Sequence, residues 1–167
     1  REDVVVTEND DGTLSRDLLT SEINAEHPIL QGITGPLAVF SARSLDVDSS
    51  IQAYTAQPLI FSGPEYYGET LYVDYLQLNA EEFTPGADTA RGRLPLAAAS
   101  ESRTTGARIV VIGDGGMASN GEGFLSAPSN SAGFVFPENV KFMMNTVAWL
   151  VNADMDETES FVFPTPG

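Results

Sequence analysis

Arg108-Ile109-Val110-Val111-Ile112 runs without a break into Gly113-Asp114-Gly115-Gly116. A continuous Ile/Val run is what a strand buried on both faces requires, and such strands are typically parallel and central. Further on, Pro137-Glu138 opens a second clear element. Val140, Met143, Met144, Val147, Leu150 and Val151 recur there at helical spacing and make one apolar stripe. Pro137 suits a first helical position, and Glu138 complements the positive end of the helix dipole. Strand, polar loop and amphipathic helix together predict the closing unit of an α/β fold with a mostly parallel sheet flanked by helices.

Outward from this unit the signals are shorter. Val4-Val5-Val6, Leu37-Ala38-Val39-Phe40, Ile51 to Tyr54, Leu59-Ile60-Phe61 and Leu94 to Ala99 read as strands. Glu8 to Gly12 and Glu101 to Gly106 read as turns, and Asp17 to Asn24 as a short helical turn. Ser62 to Asp88 is a long irregular excursion with a short strand or helix at Leu71 to Leu78; excursions of this length in compact domains are usually functional or poorly ordered. Residues 1–153 are expected to form a single α/β domain, and 154–167 an acidic, Pro-containing tail. The chain begins with Arg1 rather than Met, which reads as a processed or excised form.

A chain of 167 residues with 42% apolar content, nine Phe, five Tyr and one Trp can build a real core. Eight Lys and Arg stand against 24 Asp and Glu, for a formal charge of −16. That field repels phosphate backbones and anionic lipid heads, so no nucleic-acid partner is expected. No apolar run approaches the roughly 20 residues that span a bilayer, so no direct membrane insertion is expected within the chain. The absence of Cys excludes disulfides, zinc thiolates and cysteine nucleophiles within these residues.

Gly113-Asp114-Gly115-Gly116 lies at the carboxyl end of the Ile/Val strand, where open α/β sheets hold ligands. It reads either as a structural turn or as a ligand-facing loop in which Asp114 engages a cation or a hydroxyl, with Ser119 and Asn120 beside it. The dinucleotide spacing fails and no Gly-Lys-Ser/Thr follows, so no cofactor is expected. His27 is the one histidine. It precedes Pro28 in a turn and reads as a capping or packing residue, because a Ser-His-Asp arrangement would have to recruit it alone. With one His and no Cys, a metal site would need oxygen ligands. An EF-hand register around Gly12 fails at Thr7 and Leu18, and no protein-bound metal is assigned. Tyr66, Tyr67 and Tyr72 with Glu65 and Glu69 form either a sugar platform or a roof over the core.

Several segments in order carry a resemblance. They are His27-Pro28-Ile29 with Gly32-Ile33, Leu37 to Phe40, Pro58-Leu59-Ile60 leading to Ser62 and Gly68-Glu69, and Leu94 to Ala99. Arg108 to Asp114 follows, and then Asn139, Phe142, Asn145 and Val147-Ala148-Trp149-Leu150. Together, over roughly Val4 to Leu150, they resemble the auxiliary domain of gliding-motility-type ABC transport systems, with its DUF4350-like relatives, in the glutamine-amidotransferase-like superfamily. The resemblance implies a flavodoxin-like sheet, incomplete at its N-terminal side because the family has further strand–helix units upstream. It also implies a non-catalytic, extracytoplasmic binding or scaffolding module, part of a membrane-anchored protein. Its partners would be a membrane transporter subunit or other protein, with a small ligand or glycan as a further candidate. Asp114, Ser119 and Asn120, with Ser62, Tyr67 and Glu69, are the candidate ligand-binding residues, and no catalytic residue is assigned. The alternatives are a carbohydrate-active or other hydrolase using carboxylates such as Glu69, Asp74 and Asp114, and a calcium-stabilised surface-protein domain.

Overall fold

A computed structural model describes residues 1–77, 91–121, 123–126 and 136–152. The elements in chain order are β1 (Val4–Glu8), β2 (Leu14–Ser15), β3 (Asp17–Thr20), a 3-10 turn at Pro28–Leu30, β4 (Leu37–Phe40) and β5 (Tyr54–Phe61). They continue as β6 (Tyr67–Glu69), α1 (Tyr72–Gln77), β7 (Pro95–Ser102), β8 (Arg108–Ile112), β9 (Asn120–Gly121), β10 (Leu125–Ser126) and α2 (Pro137–Leu150). The predicted tail at 154–167 lies outside the described residues, as does 78–90 of the long excursion.

The expected parallel, flavodoxin-like α/β sheet is not what forms. β5, β7 and β8 make an antiparallel sheet in that order, β3 pairs antiparallel with β4, and β1 lies antiparallel between β2 and β6. The parallel pairing among the described residues is confined to the two-residue strands β9 and β10. The connection between β7 and β8 explains the difference. It comprises residues 103–107, and a parallel return needs a crossover of about a dozen residues or more, whereas a hairpin closes within that span. Gly106, with φ +68, supplies the left-handed residue of the turn, and Ser102 N–H donates to Ala107 C=O at 2.8 Å to close it.

The Ile/Val run is therefore an edge strand rather than a central one. Val110 and Ile112 pack on the core, while Ile109 and Val111 are 57% and 45% exposed on the opposite face. An antiparallel strand needs one covered face only, so a uniformly apolar sequence leaves its second face bare. Asp17–Thr20 is likewise a strand, not a helical turn, with Leu18 and Thr20 buried and Leu19 exposed in strict alternation.

The largest core cluster joins Ile29 and Leu30, Leu37 and Val39, Leu59 and Ile60, Leu96, Ala97 and Ala99, Met117, Phe142 and Trp149. α2 closes it, but through a different face from the predicted apolar stripe. Asn139, Phe142, Asn145, Thr146, Ala148 and Trp149 are buried, whereas Val147, Leu150 and Val151 are exposed. Backbone hydrogen bonding explains the rotation. Asn139 Oδ1 accepts from Ala38 N–H at 2.9 Å, while its Nδ2 donates to the carbonyls of Ala38 at 2.8 Å and Gly123 at 3.0 Å. Asn145 Nδ2 donates to the carbonyls of Ile29 at 2.9 Å and Gln31 at 3.1 Å. Turning these amides outward would leave buried backbone groups without partners, at about 1–3 kcal/mol each, which exceeds what the exposed Val147 stands to gain by burial.

Candidate functional site

The glycine-rich turn after β8 is built from the backbone. Gly113 N–H donates to Leu96 C=O, and Gly113 C=O accepts from Arg43 N–H at 2.9 Å. A Cβ at Gly113 would overlap the Arg43 carbonyl, so the close approach of these two segments requires glycine. Asp114 is buried, and both carboxylate oxygens are engaged: Oδ2 accepts from Phe40 N–H at 2.9 Å and Oδ1 from Gly116 N–H at 2.7 Å. Ser119 Oγ donates to Gly116 C=O at 2.8 Å, closing the same turn. Asn120 lies in β9, its backbone registered against Leu125. These contacts show the loop holding its own turn through Asp114 and Ser119.

Ser62 follows the end of β5, and Tyr67 and Glu69 sit in β6. Ser62 is fully buried; its Oγ donates to Gly92 C=O at 2.9 Å and accepts from Leu94 N–H at 3.0 Å, clasping the two ends of the long excursion. Tyr67 and Glu69 are buried in β6, registered against Val6 and Val4 of β1. Glu69 Oε1 accepts from Leu71 N–H at 2.7 Å, and the Arg91 guanidinium lies 4.6 Å from the centre of the Tyr67 ring. Tyr66 and Tyr72 are buried too, so these aromatics roof the core rather than present a platform. Asp74 falls in α1.

A cleft of about 300 Å³ lies elsewhere, between the β5–β7–β8 sheet and the end of α2. Its principal side chains are His27, Gln57, Glu101, Arg108 and Trp149. Glu101 and Arg108 are cross-strand partners in β7 and β8, their side chains 3.3 Å apart. Arg108 also donates to Trp149 C=O at 2.7 Å and Asn152 Oδ1 at 3.0 Å, with its guanidinium over the Trp149 ring. His27 stands edge-on to that ring at 5.3 Å. Its Nδ1 accepts from Ile29 N–H at 3.3 Å, capping the 3-10 turn. Burial holds His27 below the ordinary histidine pKa, the positive charge of Arg108 adds to that effect, and Glu101 opposes it. With Nδ1 occupied as an acceptor, the neutral ring offers Nε2–H as a donor, which is a capping role and not that of a general base. The sequence signal for this cleft was the hairpin itself. Once residues 103–107 are read as a tight turn, Glu101 and Arg108 fall opposite one another.

The other face of the sheet is open. Ile109, Val111, Ala56 and Ala98 line a groove of about 370 Å³, walled by Leu45 and Val47, with Asp46 and Asp48 alongside. Asp46 pairs with Arg1 at 3.3 Å. Among the described residues no group of three acidic or histidine side chains is placed to hold a metal ion, and no helix is long and apolar enough to cross a membrane. Comparison of the chain with protein-family models, with curated proteins and with solved structures gives no match.

Proposed function

We propose that this chain is a non-catalytic binding or scaffolding domain. The observation that carries the reading is the use made of its candidate reactive groups. Asp114, Ser62 and Ser119 all spend their side-chain oxygens on backbone partners, and the single histidine has its basic nitrogen occupied. A nucleophile or general base must be free to turn toward substrate, and a side chain tied to the backbone of its own turn or strand is held in a structural position instead. Exposed apolar side chains on β8 and α2 support the binding side of the reading, because clusters of them on a domain surface commonly mark contact sites.

The place of this domain beside a membrane transport system, on the extracytoplasmic side, rests on the sequence resemblance alone. Crosslinking in the source cells tests it. Recovery of the chain joined to an integral membrane transport subunit is the expected result. Hydrolysis of glycoside or ester substrates by the purified chain, abolished by Glu69→Gln without loss of folding, would defeat the non-catalytic reading in favour of the carboxylate hydrolase.

A further inference from the structure

We infer that the outer edge of β8 is a docking site for an extended, basic segment of a partner protein, which adds to the β5–β7–β8 sheet as a further strand. The inference rests on the binding reading above and gives it a surface and a chemistry. The register sets which backbone groups point outward. Ser102 N–H bonds to Ala107 C=O and Gly113 N–H to Leu96 C=O. In an antiparallel ladder this parity turns Ile109 and Val111 toward β7 and leaves the N–H and C=O of Arg108, Val110 and Ile112 facing away. Among the described residues no strand pairs with that edge.

The sheet's opposite edge is treated differently. β5 carries Pro58 and register shifts between Pro58 and Phe61, and residues 22–24 cover it through Phe61 N–H to Glu22 C=O and Asn24 N–H to Leu59 C=O, both 2.8 Å. These are ordinary protections of an edge against unwanted pairing. Ile109-Val110-Val111-Ile112 has no proline, no bulge and no charge. An edge that no described strand pairs, across the sheet from a protected one, is suited to strand addition.

The occupant's chemistry follows from the surroundings. Side chains on the groove side of an added strand would stand beside Ile109 and Val111, so alternate positions should be apolar. Asp46, with its side chain 85% exposed, and Asp48 flank the groove, in a molecule of net charge −16. The intervening side chains would point to the opposite face, where the long-range field of that net charge, rather than either aspartate, favours basic residues. A second copy brings another −16, and the two chains repel at neutral pH.

A short synthetic peptide of alternating valine and lysine, added to the full chain, is the probe. Hydrogen exchange at the Val110 and Ile112 amides should slow, and Ile109→Lys, at an exposed position that leaves the melting temperature unchanged, should weaken the effect roughly tenfold. A valine–glutamate peptide should give no protection. The inference is overturned if the basic peptide protects neither amide, or if the acidic peptide protects them equally. It is also overturned if the two amides become protected without peptide as protein concentration rises, since a second copy is then the occupant. A crosslinked cellular partner that still joins the Ile109→Lys chain would remove the edge as the site and leave the binding reading standing.

Discussion

Asn139 pairs with Ala38 as a neighbouring strand would, its amide accepting from the Ala38 N–H at 2.9 Å and donating to the Ala38 carbonyl at 2.8 Å. A helix side chain thus supplies both hydrogen bonds in the middle of β4. Asn139→Leu, close in size, leaves both groups buried and unmet and is expected to cost about 2–5 kcal/mol. Urea unfolding should show a lower midpoint with an unchanged slope; a change below about 0.5 kcal/mol would mean the pairing contributes little.

The orientation of α2 yields a contrast between two positions. Phe142 is fully buried and Val147 is 57% exposed. Phe142→Ala should cost about 3–5 kcal/mol, and Val147→Ser less than about 1 kcal/mol. Equal losses in thermal unfolding would restore the apolar stripe as the inward face.

Asp114 and Ser62 are expected to behave as fold-holding residues. Asp114→Asn turns an amide N–H toward one of two backbone donors, and Ser62→Ala strands Gly92 C=O and Leu94 N–H. Each should lower stability by about 1–3 kcal/mol. Ser119→Ala removes one bond from a half-buried turn and should cost less. A melting temperature untouched by Asp114→Asn would return that carboxylate to the list of ligand-facing groups.

His27 makes stability depend on pH. Its folded pKa lies below the ordinary value of 6.5, so around and below that value the unfolded chain binds more protons than the folded one. The contribution of neutral His27 is complete above pH 6.5 and is lost as pH falls through 6.5 toward the lowered folded value. Protonation also removes the acceptor that caps Ile29 N–H. Unfolding free energies measured across this window, for the native chain and His27→Asn, should converge as pH falls. Parallel curves would show that His27 titrates alike in both states.

Much of the element list was legible: β4, β8, α2 and the turn after β7 all stand out in the sequence. What the local pattern could not carry was pairing direction. Ile109-Val110-Val111-Ile112 satisfies a two-sided burial pattern whether or not the second face is covered, and only the length of residues 103–107 excludes a parallel return. The surroundings of the site residues were hidden for a related reason. Asp114 beside glycines has the composition of a ligand loop, and the bond it accepts from Phe40 N–H comes from a strand that sequence cannot place there. In α2, polar Asn139 and Asn145 lie inward because β4 and the 3-10 turn present unpaired backbone groups, so hydrophobic periodicity misplaced the face.

The edge of β8, unpaired among the described residues, has a colloidal consequence. A strand reading Ile-Val-Val-Ile, with two of its side chains exposed, is a template for self-association, and what keeps copies apart in dilute neutral buffer is mutual repulsion. The isoelectric point is near 4.1. Acidification toward that value, or salt concentrated enough to screen the repulsion, removes the barrier while leaving the edge in place. The excess of carboxylates thus acts as a solubility reserve that shrinks as pH approaches the isoelectric point.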